Sequence, residues 1–251
     1  MQLLSDKEQL RYSRHLILKD VGLAGQLALK AAHVVVVGAG GLGSPALLYL
    51  AAAGVGKLTL LDDDKVALSN LQRQVLYKVN HLGQSKASAA GKVLSSLNNQ
   101  IAIIPVAEKL TADNASQYLQ QADLVLDCSD NFATRYLINK HCLALKKPLI
   151  AAAAIATDGQ LMCFDFRQEN SPCYGCVFAN TGAQSALNCE NAGVISPLLG
   201  VMGSMQSLLA INMLLGHQQG SLFIHFDGLS LSQRHFKLTP DTECAECKKR
   251  V

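Results

Sequence analysis

Short β-branched apolar runs alternate along this chain with longer segments in which apolar residues recur every three or four positions, the pattern of buried strands alternating with amphipathic helices. Residues 5–30 predict helix, with Leu, Ile and Val at helical spacing and with Gly22 and Gly25 as breaks. His33 to Val37 predicts a buried strand ending at Gly38, followed by a helix over 42–53. Lys57 to Leu61 predicts a second strand, closed by Asp62, Asp63 and Asp64. Helices near 84–97, 113–121 and 131–145 then interleave with strands near 101–106, 123–127 and 148–152. This alternation predicts a Rossmann-like α/β fold, a mostly parallel sheet with helices on both faces.

Beyond Ala154 the pattern changes. Gln160 to Phe166 predicts a strand, and residues 167–192 read as irregular. A long apolar helix is predicted over 198–215, then C-terminal antiparallel strands at Ser221 to Asp227 and Leu231 to Leu238, around Gly228. No linker, repeat or low-complexity stretch interrupts the chain, so one domain is expected over 1–251: N-terminal helices at 1–30, a core at 31–154 and a C-terminal part at 155–251.

Composition narrows the classes. Of 251 residues 49% are hydrophobic and 16% charged, which fits a compact enzyme and argues against disorder. The net charge of +3, without a polybasic run or basic-aromatic stripe, gives no footprint for nucleic acid. The N-terminus lacks a basic segment followed by an apolar one, and apolar runs such as Ala46 to Val55 are too short to span a bilayer. A cytoplasmic protein with no membrane contact is expected. In that compartment eight cysteines point to metal binding or catalysis rather than a disulfide framework.

Gly38-Ala39-Gly40-Gly41-Leu42-Gly43 is a GxGxxG sequence between a predicted strand and a predicted helix. There, glycines let the backbone approach phosphate oxygens and the helix N-terminus supplies free N–H groups. Asp62, at the end of the next strand, stands where an acid would bond a ribose hydroxyl. Such a motif alone points to NAD or FAD, and an NAD-dependent oxidoreductase is the competing reading. The next segment shifts the balance. Asp64, Ser69, Asn70, Arg73 and Gln74, followed by Lys86, place carboxylates, amides and two cations beyond a strand end. A triphosphate in an enclosed site needs such cations, whereas backbone N–H groups can manage a dinucleotide. The bland alternative for Arg73 and Lys86 is a solvated helix face. The fourth strand ends in Asp127-Cys128-Ser129-Asp130-Asn131, where Asp130 can hold Mg²⁺ against phosphates, or Ser129 or Asp130 can simply cap the following helix.

Cys173 and Cys176 form one CxxC pair, Cys244 and Cys247 another, and four such thiolates match a tetrahedral structural zinc site with no position for water. Two disulfides are the alternative. Cys128, Cys142 and Cys163 fall in strand or helix patterns and read as packing residues. Cys189, within the polar run Asn188 to Val194, reads either as a reactive thiol on a mobile segment or as an ordinary small hydrophobe.

Together these residues resemble one family over nearly the whole chain: the ThiF/MoeB/HesA group, bacterial homologues of ubiquitin-activating E1 enzymes. The likeness runs from Arg11-Tyr12-Ser13-Arg14 through the glycine loop, Asp62 to Gln74, Lys86, Asp127 to Asn131, both CxxC pairs and Ala192-Gly193-Val194. Its most specific stretch is Leu68-Ser69-Asn70-Leu71-Gln72-Arg73-Gln74. The resemblance implies that the C-terminal glycine carboxylate of a ubiquitin-like sulfur carrier (ThiS-like or MoaD-like) attacks the α-phosphate of ATP, giving an acyl-adenylate and pyrophosphate. It implies that Asp62 holds the ribose, that Asn70, Arg73 and Lys86 contact phosphates, and that Asp130 binds Mg²⁺. It implies, too, a nucleotide-binding core at 31–154, a zinc-bearing, carrier-binding part at 155–251, and a homodimer in which Arg14 reaches across the interface to the phosphates. Ser44 to Leu50 and Asn131 to Arg135 look slightly more like the thiamine-pathway member than the molybdopterin one. In the thiamine type a cysteine matching Cys189 can join the carrier through sulfur. No rhodanese sequence is seen, so a separate sulfurtransferase is expected to deliver sulfur.

Overall fold

The computed structural model describes residues 3–180 and 192–247. Among these, one sheet runs in the spatial order β3-β2-β1-β4-β5-β6-β7-β8. Its strands are β1 (His33–Val37), β2 (Lys57–Leu61), β3 (Ala102–Val106), β4 (Leu124–Asp127), β5 (Leu149–Ile155), β6 (Asp158–Phe164), β7 (Leu222–Asp227) and β8 (Ser232–Lys237). β3 through β5 pair in parallel, and β5 through β8 pair antiparallel. The parallel half consists of apolar runs because it is covered twice. Val34 and Val36 of β1 face one core cluster, Val35 and Val37 the other. β3 tolerates Pro105 because it is an edge strand, where one N–H row has no neighbour.

One face carries α3 (Gly22–Ala31), α4 (Gly43–Ala53), α5 (Lys86–Leu97) and α9 (Ser196–Leu214). The other carries α6 (Ala115–Leu119), α7 (Phe132–Ala144) and α8 (Tyr174–Val177). α9 has the length and hydropathy of a membrane span, yet half of that window is buried inside the fold. Its buried Gln206 donates to the carbonyls of Asp127 at 2.9 Å and Ile150 at 3.0 Å, tying the helix to two strand ends.

The structure departs from the expected elements at three places. Residues 5–30 form α1 (Asp6–Arg11), α2 (Ser13–Leu16) and α3, with the first break at Tyr12 instead of at a glycine. Gly22 begins α3 at φ 55°, while Gly25 lies inside it, pressed against Leu215 and Val21, so a glycine needed for close packing was read as a breaker. The irregular segment contains α8, a single turn with Cys173 at its N-cap. The helix after β4 is capped by neither Ser129 nor Asp130: Asn131 is the N-cap, its Oδ1 accepting the Thr134 N–H at 2.9 Å.

Candidate functional site

β1 and β4 are neighbours in the sheet, but their connections leave in opposite directions, to β2 on one side and β5 on the other. That arrangement opens a crevice at the strands' carboxyl ends. A cleft of about 500 Å³ lies there, lined by Gly38, Gly40, Gly41, Asp62, Asp63, Asp64, Arg73, Gln74, Lys86 and Ser129 to Asn131. Of the residues expected to meet a triphosphate, Arg73 and Lys86 share this cavity with the glycine loop, whereas Asn70 and Arg14 do not line it.

The glycine loop is built by close approach. Gly38 has φ 93°, and a Cβ there would sit 2.8 Å from the Cys128 carbonyl oxygen. A Cβ on Gly43 would collide with the carbonyl of Gly38, so this last glycine closes the turn from behind and does not line the cleft. Asp62 then fastens the loop: its carboxylate accepts the N–H groups of Ala39 at 2.8 Å and Asp64 at 3.0 Å. Burial raises the Asp62 pKa above the ordinary carboxylate value, against the field of Lys86 and those two N–H bonds. Tyr77 clamps the other side, donating to the Ala39 carbonyl at 2.9 Å.

The run from Ser69 to Gln74 aims two side chains. A single 3₁₀ turn at Leu68–Asn70 is closed by the Asn70 Oδ1, which accepts the Ala67 N–H at 3.1 Å. Arg73 Nη1 donates back to the Ser69 carbonyl at 3.0 Å, which holds the guanidinium against the cleft wall. Ser69 and Asn70 thus shape the turn from outside the lining. Gln74 is buried and lines the cleft, its Oε1 without a partner among the described residues. Lys86, first residue of α5, is also buried, and its Nζ meets Asp64 Oδ2 at 2.8 Å. A desolvated ammonium with one exposed carboxylate partner is poised to exchange that partner for phosphate oxygens.

Asp130 is exposed on the rim of the same cleft. Arg14, in α2, is exposed and lies outside the cleft lining. Cys189 falls outside the described residues. Several lining residues escaped the sequence reading: Glu108 to Leu110 after β3, Ala153 to Ile155 and Asp158 at the β5–β6 hairpin, and Arg135. A strand-end rule finds the first two groups, since each follows or ends a strand at the ligand edge.

The two CxxC pairs meet. Cys173 Sγ lies 3.7 Å from Cys244 Sγ and 3.8 Å from Cys176 Sγ, and Cys176 Sγ lies 3.5 Å from Cys247 Sγ. All four sulfurs fall within 4.8 Å of one another. Zinc–sulfur bonds of about 2.3 Å in a tetrahedron require sulfurs about 3.8 Å apart, whereas a disulfide requires about 2.0 Å. The cluster has the dimensions of a tetrathiolate site, and the disulfide alternative fails. Cys128, Cys142 and Cys163 are buried packing residues, as expected.

Comparison with known proteins bears directly on this architecture. The model of the ThiF family matches residues 12–247. The chain belongs to the ThiF family. The molybdopterin-synthase adenylyltransferase of Escherichia coli is 44% identical over 97% of this chain and 98% of its own length. The sulfur carrier protein ThiS adenylyltransferase of the same organism is 42% identical over 97% of each chain. An adenylyltransferase and sulfurtransferase MOCS3 of Aedes aegypti is 43% identical over 97% of this chain, which spans 56% of that longer protein. Among solved structures, E. coli MccB with ATP superimposes with a TM-score of 0.81 at 20% identity, over 98% of this chain and 77% of that one, a likeness of fold.

Proposed function

We propose that this ThiF-family chain catalyses ATP-dependent adenylation of the C-terminal glycine of a ubiquitin-like sulfur carrier protein. One observation carries the reading: Arg73, Lys86 and Asp130 line a single cleft beneath the glycine loop. A carboxylate oxygen of the carrier bonds to the α-phosphorus, the bond from that phosphorus to the β-phosphate oxygen breaks, and pyrophosphate leaves. The nucleophile is already ionised above about pH 5, so no general base is needed. The obstacle is like-charge repulsion, which the cations Arg73 and Lys86 relieve. Mg²⁺ held by Asp130 supplies further neutralisation when bound. Asp62 holds the ribose, and the small side chains of Ala153 and Ala154 leave room for a glycine tail at the hairpin end of the cleft.

Zn²⁺ is assigned to the thiolate cluster, as a closed structural centre. A homodimer is supported by exposed apolar side chains on neighbouring elements: Ile17, Leu18 and Leu23 around α2 and α3, Tyr49 on α4, and Val201 and Leu208 on α9. Arg14 is exposed on α2, three residues before Ile17, which suits a guanidinium acting in the partner's cleft. We place the protein in the cytoplasm, with a separate sulfurtransferase as sulfur donor. The thiazole branch of thiamine synthesis and the molybdenum cofactor branch fit equally well, since relatives named for each are 42% and 44% identical. A dehydrogenase reading leaves Arg73 and Lys86 without a task.

Incubation with ATP and each of a ThiS-like and a MoaD-like carrier, followed by mass analysis, tests both reaction and pathway. An adenylate adduct and ATP–pyrophosphate exchange with one carrier are expected; NADH binding without exchange would defeat the reading. Cys189→Ala is expected to leave adenylation within about twofold of the parent. Loss of sulfur transfer in that variant supports the thiamine-type role, and unchanged transfer counts against it.

A further inference from the structure

Two buried, oppositely charged side chains lie directly beneath Asp130. Asp127 ends β4 with 1% of its surface exposed, and Arg135, in the first turns of α7, is 6% exposed. Both grip Ser129. Asp127 Oδ1 accepts the Ser129 backbone N–H at 2.9 Å and its hydroxyl at 2.6 Å. Arg135 Nη2 donates to the Ser129 carbonyl at 2.6 Å. Every polar group of Ser129 is therefore committed, and the next residue is Asp130.

The chain is fixed on the far side as well, where Asn131 caps α7. Between these anchors the Asp130 side chain makes, among the described residues, only a 3.4 Å contact with Asn131 Nδ2. Its backbone is immobilised while its carboxylate stays available to the cleft. Packing alone does not explain this construction. Desolvating a guanidinium and a carboxylate is costly, and apolar side chains would join a helix to a strand at lower free energy. Moreover, Arg135 Nη1 and Asp127 Oδ2 have no hydrogen-bond partner among the described residues, so the pair is not optimised as a salt bridge. What it does accomplish is the fixing of one peptide unit.

We propose that Asp127 and Arg135 are positioning residues for adenylation: they hold the Ser129 peptide so that the Asp130 carboxylate is set at the cleft for the divalent cation of the nucleotide. This rests on the adenylation reading of the same cleft. Neither residue need touch ATP. α7 also supports the thiolate segment, because Asn139 Oδ1 accepts the Tyr174 N–H at 2.9 Å and Tyr136 Oη donates to the Phe178 carbonyl at 3.0 Å. Zinc content is therefore the control for a merely structural effect.

The test compares the full chain with Arg135→Met, Arg135→Lys and Asp127→Asn. It measures equilibrium ATP binding with and without Mg²⁺, pyrophosphate exchange across a Mg²⁺ series, and bound zinc. For Arg135→Met, Mg²⁺-free ATP binding should stay within about twofold of the parent, the affinity gained from Mg²⁺ should fall about tenfold, and exchange at saturating ATP should slow about 10²-fold. Arg135→Lys, which keeps the charge and a donor, should recover much of that loss, with zinc unchanged. A zinc-replete Arg135→Met with parental Mg²⁺ response and exchange overturns the proposal. So does a loss of Mg²⁺-free ATP binding equal to the loss of rate, which would make Arg135 a nucleotide contact. Should Arg135→Met fail to fold, a parental Mg²⁺ response in both Arg135→Lys and Asp127→Asn overturns it equally. Absence of exchange by the parent with every carrier defeats the adenylation reading instead, and the Mg²⁺ dependence of ATP binding still decides the role of Arg135.

Discussion

Asp130→Ala is expected to cut ATP–pyrophosphate exchange about 10³-fold or more, while zinc content and oligomeric state stay as in the parent. The size follows from where the side chain sits. Asp130 lines the cleft, is exposed, and is not the N-cap of α7, a task that Asn131 performs. Its removal therefore takes a carboxylate, the proposed cation ligand, from the cleft without deleting a cap, whose loss alone would cost about 1 kcal/mol of stability. Lys86 and Arg73 remain, but two cations facing a triphosphate and an incoming carboxylate leave net negative charge in the transition state. Exchange within tenfold of the parent would remove Asp130 from the chemistry.

The second large effect concerns the thiolates. Cys247→Ser is expected to lose the metal, about one zinc per chain in the parent, and to lower the thermal midpoint by about 10 °C, from a loss on the order of 4 kcal/mol. Cys247 is half-buried, so the exchange of sulfur for oxygen opens no core cavity, and the effect reads the metal link itself. Metal analysis and calorimetry on the same samples check it. A zinc-free parent with an unchanged midpoint would show that the four sulfurs hold no structural ion.

Much of this was legible before any coordinates. The β1–Gly38 junction could be read because a β-branched run followed by glycines has few other uses. Arg73 and Lys86 could be assigned to the cleft because they follow the acidic end of β2 before the next strand begins, and a triphosphate needs side-chain cations. The cap of α7 could not be read: Ser129, Asp130 and Asn131 are all capping residue types, and only the bond from Thr134 N–H to Asn131 Oδ1 separates them. Gly25 misled for a related reason, since a glycine inside a helix and a glycine ending one look alike until the neighbour is known. Arg135 was invisible as a buried residue because an arginine in an N-terminal helix turn ordinarily faces water. Its partner, the Ser129 carbonyl, is a backbone atom that no side-chain pattern marks.

The thiolate cluster also constrains when the molecule can be finished. Its partners in each half stand 71 residues apart, and α9, β7 and β8 lie between them. On the ribosome the first CxxC emerges long before the second, so an ion shared by the four sulfurs could not be enclosed until Cys247 had been translated. Metal capture would then be a latch closed after the last strand of the sheet. If the ion is the proposed zinc, cells short of it would accumulate protein whose sheet had formed but whose second CxxC had never been fastened.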